Sequence, residues 1–548
     1  MLARPPMSEK KIVAVMAALL AVLTLVPVVA AYYAGRADGS VWTGRTFLAP
    51  GDLTVYLSYI DEVKRGAWLI SNRFSSEAGV PYLNLLWLAV GLLARLLALS
   101  PLAAFHFARL LLIPAFAFAV HWAAGLFLND RRERLTATAL ILFAGGWGAY
   151  AAPFFAKTAV MAGGQYPWPI DLWVAEAFGF LTAFYSPHFL ASWILIIVSL
   201  GLLFRAYREN RLKLAAGAGL AALVLLEFHP FHAVTLYAVG GASLFLVASR
   251  SSRLRRRLAA FFLFVAISAP AVLYQWWLTR PTQNGAAMLD NNLCYTPAPL
   301  FVLLGFGALV PAAAIGAVVW RRRSQSDSQE KVGLALVAAW LVIQSLIIYV
   351  PTFLQRRFIE GLEFPLALLA AVGLVALVRR LTAEKFWHGT AAVPLLAMAG
   401  AFLFLPTTFD AVARTVILVR TNQPPVFRLS SDAAAMMEWM HAHLDQRAVV
   451  LSTLDSGNDL AGFAGVTVYL GHWNQTARPA DKEAAVQEFF SAGATDAWRR
   501  DFLRQAGIAY VYVGPAERAL GAGLTGGEYL RSVYASGDYT LFQVALNR

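Results

Sequence analysis

The sequence predicts a polytopic α-helical membrane protein that carries a C-terminal α/β domain. Three observations predict it. Of 548 residues, 59% are hydrophobic and 14% charged, whereas a soluble globular chain has roughly 45–50% apolar and 25% charged residues. Apolar runs of about 20 residues, enough to cross a hydrocarbon core, recur up to residue 406. Beyond Pro406 the pattern changes to short apolar strands alternating with helical segments. A soluble enzyme, a disordered tail and a fibre are thereby excluded. The 45 Lys and Arg against 32 Asp and Glu leave a charge of +13. In a soluble chain that excess would suggest nucleic acid. Here basic loops held on the cytoplasmic side of a bilayer account for it, and no nucleic-acid partner is expected. Cys294 is the single cysteine, so a disulfide framework and a cysteine metal cluster are excluded.

The first apolar run, 12–33, follows Lys10 and Lys11, which places its start in the cytoplasm. It is too long for a signal-peptide core and reads as an uncleaved first span. Further runs at 103–128, 135–155, 189–207, 214–229, 231–249, 258–279, 299–320, 332–353, 364–378 and 390–406 bring the count to about eleven spans. Basic loops at 131–134, 205–213, 250–257, 321–331 and 379–385 alternate with neutral or mixed ones, so the basic set is cytoplasmic. The segment 34–80 is then outside only if one crossing separates it from loop 131–134. Two apolar runs lie between them. Arg95 interrupts 81–99, which is read as a helix in the outer interface. The expected layout is a transmembrane domain over 1–410, with a long outer loop at 34–102 carrying juxtamembrane helices. A linker at 411–430 around Pro424-Pro425 leads to an extracytoplasmic α/β domain at 431–548. Strands are expected at 448–452, 466–471, 509–513 and 539–544, with helices at 431–444, 481–490 and 496–506. Short loops and low lysine usage point to a bacterial inner membrane, with the N-terminus cytoplasmic.

The long outer loop carries most of the chemical signal, because loops of that length are usually functional. It holds Gly51-Asp52-Leu53, then Tyr56, Asp61, Glu62, Arg65, Gly66 and Trp68. On a helix over 53–68, Tyr56, Tyr59 and Val63 share one side and Glu62 and Arg65 flank it, as in a helix lying on an interface. Asp52 just before it is either an N-cap or a general base facing the outer leaflet.

The order Asp52, Tyr56, Glu62, Gly66, Trp68, then Pro81 before Leu83-Asn84-Leu85-Leu86-Trp87-Leu88, then Arg109-Leu110, resembles the GT-C superfamily of membrane glycosyltransferases. The protein O-mannosyltransferases and lipid A aminoarabinose transferases open their first outer loop in this way. The resemblance implies a GT-C-like fold, a sugar donor linked to polyprenyl phosphate, and Asp52 as the catalytic residue. Tyr56 and Glu62, with Asp171, Glu176 and His188, are further candidates for sugar, acceptor or metal contacts. One departure limits what carries over. Those families place a basic residue beside the loop prolines, and Val80-Pro81-Tyr82-Leu83-Asn84 has no Lys or His.

Four further segments hold candidates. Asp171, Glu176 and His188 in the second outer segment, 156–188, which also contains Gln165, could together ligate a hard divalent cation. Glu227-Phe228-His229-Pro230-Phe231-His232 puts ionisable groups at membrane depth, where His229 could bind a phosphate or satisfy a polar turn. Arg356 and Arg357 lie in a loop assigned outside, against the charge trend. Their forked guanidinium groups match phosphate oxygens, and ion pairs with Glu360 and Glu363 are the plainer reading. His472, in Gly471-His472-Trp473-Asn474, ends a strand, where α/β domains bind ligands. Signatures of nucleotide-loop, zinc-protease and serine-hydrolase sites are absent.

The function these features predict is transfer of a sugar from a polyprenyl-phosphate donor to an acceptor hydroxyl on a glycan, lipid or protein. Asp52 is the base, and Arg356, Arg357 and His229 hold the donor phosphate. No cofactor is required, and a divalent metal is compatible. A lipid or polysaccharide flippase, or a non-catalytic assembly protein, are the alternatives; the internal repeat expected of a transporter is not seen.

Overall fold

A computed structural model describes residues 7–77, 79–156, 166–247, 254–280, 291–383, 392–521, 524 and 528–546. Gln165, Arg250–Arg253 of one basic loop, Glu384 and Lys385 lie outside these residues. The chain divides into two compact units. One comprises Met1–Pro27, His106–Gln275 and Leu293–Thr415; the other comprises Val28–Phe105, Trp276–Asn292 and Val416–Arg548.

The protein is a polytopic helical membrane protein. Among the described residues, seven helices are long and apolar enough to cross a membrane: Glu9–Asp38, Pro101–Ala124, Arg131–Phe155, Pro187–Glu209, Leu254–Leu278, Ser328–Ile347 and Gln355–Ala383. Two bent pairs raise the number to nine if each is one span. They are Pro299–Phe306 with Leu309–Arg323, bent by 78°, and Pro394–Phe404 with Pro406–Thr421, bent by 64°. The other two of the eleven expected runs form Leu212–Phe228 and His232–Val247, of 17 and 16 residues. At 1.5 Å per residue each rises roughly 25 Å, short of the ~30 Å hydrocarbon core. Eleven apolar runs thus become seven to nine span-length elements, because two runs fold as bent helix pairs and the two that flank Pro230 form helices too short to cross.

Within the first unit, ion pairs tie the basic loops to one another. Arg134 donates to Glu9 at 2.7 Å, Arg323 to Glu133 at 2.7 Å and Arg379 to Asp130 at 2.5 Å. Arg208 donates to the Gln329 side chain at 2.7 Å. Loops 131–134, 205–213 and 321–331 and the end of the helix at Arg379 therefore share one charged network, in keeping with their common assignment to one side.

In the second unit, the first loop folds against the C-terminal sheet. The Asp52–Lys64 helix buries Leu53, Thr54, Val55, Leu57, Ser58, Tyr59, Ile60, Asp61 and Val63. It is buried on most sides, rather than lying on an interface by one, because the Leu85–Leu96 helix and the segment 454–464 both pack on it. The Leu85–Leu96 helix has 12 residues, about 18 Å of rise and well short of a crossing. Gly66, with φ +114°, ends the first of these two elements in a conformation that glycine adopts without strain.

A two-residue ladder pairs β1 (Val41–Trp42) with β2 (Arg428–Leu429). The five-stranded sheet contains β3 (Val449–Leu451), β4 (Thr467–Val468), β5 (Tyr510–Val513), β6 (Leu530–Ser536) and β7 (Tyr539–Val544), in the order β4-β3-β5-β7-β6. The first three are parallel, and β7 and β6 are added antiparallel. The four expected strands and three expected helices are present, with helices at Ser431–His443, Pro479–Phe489 and Asp496–Gln505. β6 was not expected. It is an edge strand whose Arg531 and Ser532 are exposed, so it lacks the apolar alternation that marks a covered strand. Leu451, Val511, Phe489, Leu503 and Phe542 lie in its core.

The helix 52–64 and the segment 454–464 meet without side-chain clearance. A Cβ placed on Gly462 would lie 2.5 Å from Thr54 Cβ and 2.8 Å from Thr54 Cα. Gly462→Ala is expected to destabilise the second unit by about 1–3 kcal/mol, the usual range for overpacking. Gly493→Ala, whose Cβ meets nothing within 4 Å, should leave the denaturant midpoint unchanged. Equal midpoints for the two variants, read by tryptophan fluorescence, would refute the close contact.

Candidate functional site

Chemistry-bearing side chains gather in two clusters, one in each unit. In the second unit Asp52 is the first residue of its helix, and Gly51 is the N-cap, with no side-chain cap bond. Asp52 is therefore not the N-cap that one sequence reading allowed. A carboxylate in the first helical turn is favoured by the helix dipole. His472 faces it, with Nε2 3.2 Å from Asp52 Oδ1. The backbone N–H groups of Asn474 and Gln475 donate to His472 Nδ1 at 3.2 and 3.3 Å. Nδ1 is thus the acceptor, the ring proton sits on Nε2, and Nε2–H donates to Asp52. The turn that sets this tautomer is itself fixed. Thr476 Oγ1 accepts from the N–H groups of Gly471 and His472 and donates to the Phe74 carbonyl at 2.7 Å. The His472 side chain is 3% exposed and that of Asp52 30%.

Tyr56 and Glu62 take packing roles. Tyr56 stacks on Trp87 at 4.8 Å, and Glu62 accepts the Ser71 N–H at 2.9 Å, closing the turn after the helix. Residues that the sequence reading passed over hold the loop in place. Asp459 pairs with buried Arg45, and Asn458 contacts both Thr54 Oγ1 and the Gly51 carbonyl. Asp61 pairs with Arg65 at 2.9 Å and Arg73 at 3.3 Å. Arg73 also donates to the Gly465 carbonyl and to Gln446 Oε1. The pairings with the C-terminal part, 373 to 414 residues apart, leave no local sequence signal.

In the first unit, His229 and His232 flank Pro230 and converge on Glu360. His232 Nε2 lies 2.8 Å and His229 Nδ1 3.6 Å from Glu360 Oε2. Ser192 Oγ is 3.1 Å from His229 Nδ1, and the His188 ring packs edge-on to His229 at 5.2 Å between centroids. Arg357 donates to Glu176 Oε1 at 3.3 Å. Arg356 lies 4.5 Å over the Trp173 ring and donates to Cys294 Sγ at 3.5 Å. The structure therefore brings His229 together with His188, and Arg357 with Glu176. The expected pairings of the two arginines with Glu360 and Glu363 give way to these, since Glu360 meets histidine and Glu363 accepts the Gly179 N–H at 2.8 Å.

Asp171 is elsewhere engaged. Fully buried, it accepts from the Gly148 N–H at 2.9 Å and from the Thr407 hydroxyl. Asp171, Glu176 and His188 thus have separate partners. Among the described residues, the side chains within metal-ligating distance of one another are His229, His232 and Glu360. The spacing of His229 and His232 across a helix start was a usable signal; the arrival of Glu360, 128 residues after His232, was not.

No family model matches the chain, and no curated protein matches it in sequence. Solved structures match it in fold, and they are GT-C membrane glycosyltransferases. The AglB oligosaccharyltransferase of Archaeoglobus fulgidus, solved with a tethered acceptor peptide, matches at TM-score 0.51 and 12% identity, over 89% of this chain and 68% of that one. The mycobacterial arabinofuranosyltransferase AftD matches at TM-score 0.52 and 16% identity, over 99% of this chain and 42% of AftD. ArnT from Cupriavidus metallidurans, solved with undecaprenyl phosphate, matches at TM-score 0.49 and 12% identity, over 98% of each chain. The chain has the GT-C fold.

The loop that presents Asp52 is clamped by a buried cation. Lys482 Nζ donates to Glu77 Oε2 at 2.6 Å, to Ser75 and Ser76 hydroxyls and to the Tyr469 carbonyl. Burial alone would raise the Glu77 carboxyl, but the Lys482 and Ser75 hydrogen bonds outweigh it and hold it below its ordinary 4.5. A carboxyl held low stabilises the fold above its unfolded value and loses that contribution as pH falls through its folded value. Glu77→Gln should therefore lower stability at pH 7 by about 1–3 kcal/mol, the range for hydrogen bonds to charged groups. The difference from wild type should shrink towards zero as pH falls below about 4. Equal unfolding midpoints at pH 7 would refute the clamp.

Proposed function

We propose that this protein is a GT-C-type glycosyltransferase that moves a sugar from a polyprenyl-phosphate donor to an acceptor hydroxyl on the outer face of the membrane. The observation that carries this reading is the Asp52–His472 pair at the start of the first-loop helix, set in a GT-C fold. Asp52 takes the proton of the acceptor hydroxyl, whose oxygen bonds to the anomeric carbon from the face opposite the phosphate. The bond from that carbon to the phosphate oxygen breaks, and its electron pair leaves with the phosphate, inverting the centre. In this reading the donor phosphate is assigned to Arg356, Arg357 and His229 of the first unit, an electrostatic contribution of the kind that is often the largest in catalysis. His472 is a positioning residue: its Nε2–H donates to Asp52 Oδ1 and sets the orientation of the carboxylate. Hexosyl and pentosyl donors both suit this chemistry.

No cofactor is needed for these steps. A divalent metal is compatible with them, and an AglB structure was solved with zinc and sulfate. The division into a membrane domain over 1–410, a linker at 411–430 and an α/β domain over 431–548 belongs to the same proposal. So does an inner-membrane location with the N-terminus cytoplasmic and the C-terminal domain outside; the charged network joining the basic loops supports that orientation.

The test is release of labelled sugar from polyprenyl-phosphate donors by the purified chain in detergent. Asp52→Asn keeps an acceptor oxygen for His472 and should lower kcat by about 10²–10⁴, the usual worth of a general base. Arg357→Ala should also lower kcat. Unchanged turnover in Asp52→Asn removes Asp52 as the base. No release from any polyprenyl-phosphate donor overturns the transferase and favours a flippase or an assembly protein.

A further inference from the structure

We propose that His229, His232 and Glu360 form a binding site for one zinc-class divalent cation, with a fourth position left for an exogenous oxygen ligand. Three observations support the site. One ring nitrogen each of His229 and His232 and a Glu360 oxygen all lie within 4.8 Å of one another. A tetrahedral zinc with bonds of about 2.0–2.1 Å separates its ligand atoms by roughly 3.3 Å. The two nitrogen–carboxylate separations, 2.8 and 3.6 Å, bracket that value, and the two imidazole donors lie within 4.8 Å of each other. Next, Glu360 is fully buried, and among the described residues its Oε1 has no hydrogen-bond partner. A buried carboxylate with one bare oxygen is costly unless a cation compensates it. Finally, the backbone carrying Glu360 is held in advance. Gln344 Nε2 donates to the Phe358 and Glu360 carbonyls at 2.8 and 2.7 Å, and Trp340 Nε1 fixes the amide by donating to Gln344 Oε1 at 2.7 Å.

The donor set selects the ion. Two imidazole nitrogens and one carboxylate suit zinc and its neighbours, whereas magnesium and calcium take oxygen shells. Three protein ligands with one exchangeable position is the arrangement of zinc sites that engage a substrate or solvent oxygen. The ion would also reverse the local charge. With neutral imidazoles, Glu176 and Arg357 cancel and Glu360 leaves the cluster negative; a divalent ion makes it positive and able to hold an oxyanion.

This site stands whether or not the transferase reading does, because it is measured as binding. The full chain in detergent is stripped with a chelator and dialysed against zinc, and metal is quantified by elemental analysis. About one zinc per chain is expected. Glu360→Gln and His232→Ala should each weaken binding by more than about 100-fold, beyond the 10–100-fold cost of losing an outer partner of a ligand. Cobalt loading should give the visible absorption of a tetrahedral site, lost in Glu360→Gln, and magnesium should not displace the ion. Zinc uptake below one-tenth per chain, or full uptake by folded variants, would overturn the site. X-ray absorption at the zinc edge tests the wild type alone: two imidazoles and oxygen are expected, and an all-oxygen shell would overturn the assignment.

Discussion

A charged group buried among apolar helices persists only where a partner takes up its charge or its hydrogen bonds, and that requirement organises this protein. In the first unit several buried acids are answered from distant segments. Asp171 reaches the Gly148 amide and the Thr407 hydroxyl, Glu363 the Gly179 amide and Glu176 the Arg357 guanidinium. Each pairing fastens an irregular stretch, and so helps to fix the 3₁₀ turns and short helix over 170–185, whose apolar side chains are buried. Breaking such a pair leaves the remaining charge stranded, which costs more than the pair contributes to stability when intact.

The same requirement sets up the Asp52 cluster in the second unit. Arg45 with Asp459, Arg73 with the Gly465 carbonyl and Gln446, and Lys482 with Glu77 each join the first loop to the C-terminal part. With these contacts made, the helix bearing Asp52 has little freedom, and the His472 ring is oriented by backbone amides rather than by flexible side chains. A site held by secondary structure and backbone donors keeps its geometry better than one on a free loop.

The membrane class, the C-terminal sheet and the prominence of Asp52 and His472 were legible in the sequence, because hydropathy and strand periodicity are local. Arg356, Arg357 and His229 were noticed for their charge at apolar depth, but their neighbours were not. Glu360 read as a salt-bridge partner for arginine and instead meets His232, since a pairing across 128 positions leaves no periodic trace. Asp171 looked like a metal ligand because an acid in an outer segment looks the same whether it binds an ion or caps backbone amides. The edge strand Leu530–Ser536 was missed because only one of its sides is paired, so its exposed residues carry no apolar alternation.

One consequence follows from the distance between Asp52 and His472 along the chain. They are 420 residues apart, and between them lie most of the membrane helices. At about 5–20 residues per second, the first loop waits on the order of 20–80 s after its own synthesis before its partners leave the ribosome. Throughout that interval Arg45, Asp61 and Arg73 lack their C-terminal contacts, and Asp52 lacks its imidazole. The nascent protein is therefore inserted first and armed last, and a chain interrupted before the sheet is made would sit in the bilayer with its acid residue unset.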